Sequence, residues 1–265
     1  MLGRYLRRRA LAGQNTIVAY LPGLYPDPEH FEQCVASLVS HGIAILEFGI
    51  PGKTPPLEGD TISTALRTVE RRIGDPLEVL QRASAMTRSA GAYPVAMVFA
   101  HTLHAVGLAR FVREAAEAEV SAVLIPDILE ERRASLHHAC STAGIESVAF
   151  FGADEVQPVL YGSEAFVYLQ TADMPTGGRF EPTNELRRRI EQVRVVSRAN
   201  GDTVPVALGF GIRSGADIAS VHRLGADIAV VGTAMVEAAA KPPSVFSQYL
   251  EELTAVPNEQ RMEND

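Results

Sequence analysis

The chain is punctuated by short apolar runs at 16–21, 43–48, 94–99, 122–126, 147–151, 165–169, 205–208 and 227–231. Their near-continuous hydrophobicity suits strands buried on both faces of a parallel sheet. Amphipathic stretches at 30–41, 77–89, 107–118, 129–143, 183–199 and 215–224 lie between them and read as helices. Strands that each feed a helix predict an α/β fold of the closed (β/α)8 TIM-barrel type. An open doubly wound sheet is the competing arrangement, and it carries a glycine-rich turn after its first strand. Here that turn reads Pro22-Gly23-Leu24-Tyr25-Pro26-Asp27-Pro28, with no G-x-G-x-x-G.

Composition agrees with one large barrel. The 265 residues match the length of a single such domain, 1–265, with a polar tail at 258–265 expected to fray. A net charge of −8 argues against a nucleic-acid role, which asks for a basic face. The basic cluster Arg4, Arg7, Arg8 and Arg9 reads as a solvated first helix. No apolar stretch reaches the roughly 20 residues that span a bilayer. Cys34 and Cys140 fall in helical stretches and form neither a disulfide framework nor a zinc motif. The expectation is a cytoplasmic, reduced protein.

In a (β/α)8 barrel, chemistry sits at the C-terminal ends of the strands and in the loops that follow. The runs ending at Gly209-Phe210-Gly211-Ile212 and Val230-Val231-Gly232-Thr233-Ala234 each end in glycine and open towards a helix. Two such units in tandem make a cup of backbone N–H groups for a phosphate, so a small phosphorylated substrate is expected. The segments after the second and sixth strands, 49–60 and 170–182, are long for such connections and read as active-site lids. Thr176-Gly177-Gly178 with Arg179, in the second of these, can add backbone N–H groups to the cup.

Candidate acids and bases follow from position. Glu47 lies inside an apolar strand, where burial raises a carboxyl pKa and makes a proton donor near neutral pH; a structural glutamate bonded to backbone is the other reading. Glu58 is either a second carboxylate brought over the mouth or a solvated loop residue, and Asp60 reads as the N-cap of the next helix. Tyr168 ends the sixth strand with its phenol near the mouth. The only lysines are Lys53 and Lys241, and neither falls on a strand, which disfavours a Schiff-base mechanism. His101 and His104 follow the third strand and offer a substrate hydrogen bond, loop packing or, as a minor option, a metal pair. No metal and no cofactor is expected.

Read together, Leu46-Glu47-Phe48-Gly49-Ile50-Pro51, Glu58-Gly59-Asp60-Thr61-Ile62, Ile125-Pro126-Asp127, Tyr168, Thr176-Gly177, Gly209-Phe210-Gly211-Ile212 and Val231-Gly232-Thr233-Ala234 resemble the tryptophan synthase α-subunit family, in order and at matching spacing from about Tyr20 to Val236. The resemblance implies a (β/α)8 barrel that cleaves indole-3-glycerol phosphate to indole and glyceraldehyde 3-phosphate. It places Glu47 at the proton donor to the indole ring and Glu58 at an aspartate that acts on the indole N–H. It places Tyr168 at an active-site tyrosine and Thr176 at the lid threonine. Gly177, Gly211, Gly232 and Thr233 fall on the phosphate cup, and Tyr20 and Phe210 on aromatic positions beside the indole.

The departures are specific. Where the family's loop after the second strand reads P-F-S-D-P-x-A-D-G, this chain has Pro51-Gly52-Lys53-Thr54-Pro55-Pro56-Leu57-Glu58-Gly59. Glu58 is one methylene longer than the family's aspartate. The lid begins Thr171-Ala172-Asp173-Met174 instead of a serine–arginine–serine-like run, and an asparagine-type position after the third strand is His101. These changes fall on the lid and on the surface that meets the family's β subunit. They imply a diverged paralogue, for which the β subunit is a doubtful partner. The expected substrate is indole-3-glycerol phosphate or a related aryl-glycerol phosphate; the same chemistry on a different phosphorylated substrate in specialised metabolism, and a non-catalytic barrel that binds a glycerol phosphate and regulates a partner enzyme, stand as alternatives.

Overall fold

A computed structural model describes residues 1–52, 58–153, 158–162, 164–171, 178–201 and 203–255. Its strands are β1 (Thr16–Pro22), β2 (Ile45–Gly49), β3 (Tyr93–Met97), β4 (Ala122–Leu124), β5 (Glu146–Phe151), β6 (Glu164–Gln170), β7 (Val206–Gly209) and β8 (Ile228–Val231). All pair in parallel, each with its sequence neighbour, and β8 closes on β1. Every predicted strand is present, with ends shifted by a residue or two. Tyr168 therefore lies two residues inside β6, not at its end. The barrel wall is buried on both faces, as the unbroken hydrophobicity of its strands requires.

The helices form the outer layer: α1 (Leu2–Leu11), α2 (Pro28–Ser40), α3 (Asp60–Ile73), α4 (Pro76–Ser89), α5 (Ala100–Val106), α6 (Leu108–Glu117), α7 (Glu130–Thr142), α8 (Asn184–Ala199), α9 (Gly215–Arg223), α10 (Thr233–Ala239) and α11 (Pro243–Thr254). Local chemistry sets their starts. Asp27 caps α2 by accepting from His30 N at 2.9 Å, and Asp75 caps α4 by accepting from Leu77 N at 2.9 Å, each followed by proline. A cap of this kind is worth about 1 kcal/mol. The N-cap of α3 is Gly59, so Asp60 is the first helical residue, where its charge favours the positive end of the helix.

Helix α1 closes the N-terminal end of the barrel. Leu2, Gly3 and Leu6 are buried, and Gly3 N donates to Glu146 Oε2 at 2.9 Å at the start of β5. Of the basic cluster, Arg4 and Arg8 are exposed, while Arg9 is half-buried and donates to Thr16 Oγ1 and Asn15 O. Cys34 and Cys140 are buried, and burial pushes both thiols up to about 12. Among the described residues no helix is long and apolar enough to cross a membrane.

Candidate active site

A cavity opens at the C-terminal mouth of the barrel, where the sites of such folds are built. Every strand, or the segment after it, contributes: Tyr20 from β1, Glu47 from β2, Met97 and Phe99 from β3 and beyond, Leu124 and Pro126 from β4 and beyond, Phe150, Tyr168, the stretch Phe210–Arg213, and Val230, Gly232 and Thr233. Glu58 and Ile62 complete the rim ahead of and within α3. Most of this wall is apolar. Phe150, Tyr168 and Phe210 form one aromatic side, with ring centroids 5.3 to 6.5 Å apart.

Glu47 is the chemical centre of the cavity. It is 3% exposed, and its register partners are Tyr20 on β1 and Val95 on β3. Burial, with nearby Glu58 adding to it, pushes its carboxyl up from 4.5 to about 8, so the side chain is a carboxylic acid at neutral pH. Its Oε2 has no hydrogen-bond partner among the described residues. The reading of Glu47 as a glutamate satisfied by backbone does not account for that open oxygen. Tyr20 and Tyr168 are also buried. Burial first, and then Glu58 and Glu47, hold both phenols well above 10, so they stay neutral donors.

Two glycines seat these phenols. A Cβ at Gly209 would collide with the Tyr168 ring and hydroxyl, and one at Gly49 would collide with the Tyr20 hydroxyl. Neither seat is visible in the sequence, because it depends on contacts across strands. Phe150, Met97, Phe99 and Leu124 were also missed as wall residues, since a strand buried on both faces gives no alternation to tell inside from outside.

The two glycine turns differ in kind. Gly232 caps α10, and a Cβ there would meet only ordinary contacts, Ile62 Cδ1 at 3.8 Å and Tyr20 Cδ1 at 3.9 Å. Gly211 does not open directly into a helix. Phe210 and Gly211 both have positive φ, 76° and 82°, and α9 starts later, behind the Ser214–Asp217 capping box. A Cβ on Gly211 would meet Arg179 C at 2.6 Å and Phe180 N at 2.5 Å. Glycine is required there by the fold itself, because the protein's own backbone already fills the space a Cβ would need. Phe180 N donates to Gly211 O at 3.2 Å and Thr171 Oγ1 donates to Phe210 O at 2.9 Å. Both described ends of the segment after β6 are thus tied to the turn after β7. Buried Arg189 of α8 holds the same corner, donating to Gln170 O at 2.8 Å and to Gly152 O.

Thr176, Gly177 and Lys53 lie outside the described residues. Gly178 is exposed and does not line the cavity. His101 does not line it either. The predicted loop after β3 is helix α5, on which His101 Nε2 lies 3.2 Å from Thr102 Oγ1 and the imidazole stacks on Phe99. Asp127 supports the start of α5 by accepting from Ala100 N at 2.8 Å. Among the described residues, no group of three or more His, Cys, Asp or Glu side chains could hold a metal ion.

Fold and site together define the class of (β/α)8-barrel acid–base enzymes in which a buried carboxylic acid faces an aromatic-walled cavity at the C-terminal mouth. Comparison with known proteins narrows the class. The sequence profile described as tryptophan synthase alpha chain matches residues 7–264, and the chain belongs to that family. It is 28% identical over 258 residues to the tryptophan synthase alpha chain of Gloeobacter violaceus, covering 94% of this chain and 92% of that one. It is 29% identical over 249 residues to the alpha chain of Thermobifida fusca, covering 92% and 91%. The fold is similar to that of a chain of Mycobacterium tuberculosis tryptophan synthase, with a TM-score of 0.80 at 24% identity over 96% of each chain.

Proposed function

We propose that the protein is a carbon–carbon lyase that cleaves indole-3-glycerol phosphate, or a closely related aryl-glycerol phosphate, to the free arene and glyceraldehyde 3-phosphate in the cytoplasm, using side chains alone. The observation that carries this reading is Glu47, a carboxylic acid kept protonated to about pH 8, with one oxygen open, in a cavity walled by aromatic rings. A barrel that only binds a ligand has no use for such an acid, which is costly to bury.

Glu47 gives its proton to the ring carbon that bears the side chain, while Glu58 takes the ring N–H proton. The bond from that carbon to the carbinol carbon then breaks, and its electron pair returns to the ring. The carbinol O–H gives its proton to the Glu47 carboxylate as the aldehyde forms, and Glu58 returns its proton to the ring nitrogen. Tyr168, Phe210 and Tyr20 frame the ring. Gly211, Gly232 and Thr233, with Thr176 and Gly177, hold the phosphate. The test is Glu47→Gln, which keeps the shape and removes the proton. Turnover should fall by about 10²–10⁴-fold, as for loss of a general acid, with phosphate-dependent binding retained. A Gln variant with wild-type turnover would remove Glu47 from the mechanism.

The family's β subunit is not required in this proposal. Gly52 stands where the family has a bulky apolar residue, and the space of its missing Cβ is taken by the Thr102 hydroxyl, with His101 Nε2 at 3.0 Å. That packing leaves no room for an aromatic anchor in the same place.

A further inference from the structure

Tyr20 carries an oxygen that the fold does not use. It lies on β1 directly across from Glu47, is 3% exposed and lines the cavity. Its ring passes Gly232, with Cδ1 3.9 Å from where a Cβ on that glycine would be, and its hydroxyl fills the space that a Cβ on Gly49 would need. The phenol therefore reaches from the α10 side of the cavity to the top of β2. Among the described residues Tyr20 Oη has no hydrogen-bond partner, and Glu47 Oε2, across the same strand pair, has none either. A buried hydroxyl without a partner costs free energy that a phenylalanine of the same shape would avoid. Both residues line a cavity with otherwise mainly apolar walls, and an unpartnered oxygen on each points to a polar group that arrives with the ligand.

The lyase reading, on which this inference rests, identifies that group. Glu47 protonates the ring carbon, and two polar substrate atoms lie two bonds from that carbon, the ring nitrogen and the oxygen on the attached carbinol carbon. The ring N–H is taken by Glu58. We propose that Tyr20 Oη donates a hydrogen bond to the carbinol oxygen, the atom that becomes the aldehyde oxygen, and so acts as a further catalytic residue. A donor aimed at this oxygen fixes its rotamer and stabilises the negative charge that grows on it as its proton leaves for Glu47. Tyr20 itself stays neutral and gains or loses no proton over the cycle.

The test is Tyr20→Phe, which deletes one oxygen. Three readouts are needed: the melting temperature, steady-state cleavage of indole-3-glycerol phosphate, and the affinity for indole-3-propanol phosphate, which has the same skeleton without its hydroxyls. The variant should melt at or above the wild-type temperature. It should bind the deoxygenated probe as the wild type does, and lose roughly 10- to 100-fold in kcat, as expected for one hydrogen bond to a developing charge. Wild-type kcat in a folded Tyr20→Phe variant would overturn this role alone. Equal loss of probe binding and turnover would show a packing role and overturn it as well. A wild-type protein that neither binds the probe nor cleaves the substrate would overturn the lyase reading, and this role with it.

Discussion

At the scale of the residue, the proposed role of Glu47 couples stability to catalysis through one proton. The folded protein holds that proton up to about pH 8, whereas the unfolded chain releases it near 4.5. Between these values the native state binds more protons than the unfolded state, so the Glu47 contribution to stability falls as pH rises and is gone above about 8. Thermal melting across this window should show that loss in the wild type and lack it in Glu47→Gln; identical profiles would contradict the assignment. The proton-donor form is lost over the same upper limit, so turnover should decline as pH rises through about 8. The position of Glu47 was legible in the sequence because a lone acid in an apolar run is conspicuous. Tyr20 was legible only as an aromatic; its unpartnered hydroxyl depends on neighbours from other strands. For His101 the packing reading fits the structure and the substrate hydrogen bond does not, because a helix, α5, stands where the sequence reads as a loop and the imidazole stacks on Phe99.

At the scale of the element, the mouth of the barrel is built from turns with different tolerances. Gly232 stands at the start of α10, where an added Cβ would meet only ordinary contacts, so Gly232→Val should leave the fold intact and sharply weaken binding of phosphorylated ligand. Gly211 stands at φ 82° against the backbone of Arg179 and Phe180, so Gly211→Ala should lower the melting temperature as well as ligand affinity. Melting curves and titration with phosphorylated and dephosphorylated substrate separate the two cases. Equal affinity of the wild type for both substrates would contradict the phosphate cup. Both turns were visible as strand–glycine patterns, but the reason for each glycine was not. In the proposed site Gly232 serves the ligand side, whereas Gly211 serves a contact between the segments after β6 and β7. Strands were read nearly to their ends because unbroken hydrophobicity marks them. Helices α5 and α11 were missed: α5 is a single short stretch on a functional rim, and α11 starts from Pro242-Pro243, which reads as a break.

At the scale of the whole molecule, the closed barrel, the C-terminal mouth and the family were all legible, because each rests on many residues in order. The segment after β2 is where this chain departs from the family's pattern. A loop that has exchanged an aromatic anchor and an acid for Gly52 and Thr54 should have lost much of its interface energy, since a few such anchors dominate binding. A tryptophan synthase β subunit should therefore show no binding at about micromolar concentration, and should raise the rate no more than a few-fold; tight assembly with strong activation would contradict this. The central claim is tested most directly by incubating the purified chain alone with indole-3-glycerol phosphate and following indole release. The account predicts steady turnover, with indole and glyceraldehyde 3-phosphate appearing in equal amounts in solution and the rate lower by about 10²–10⁴-fold in Glu47→Gln. No indole from the wild-type chain, with or without a β subunit, would contradict it.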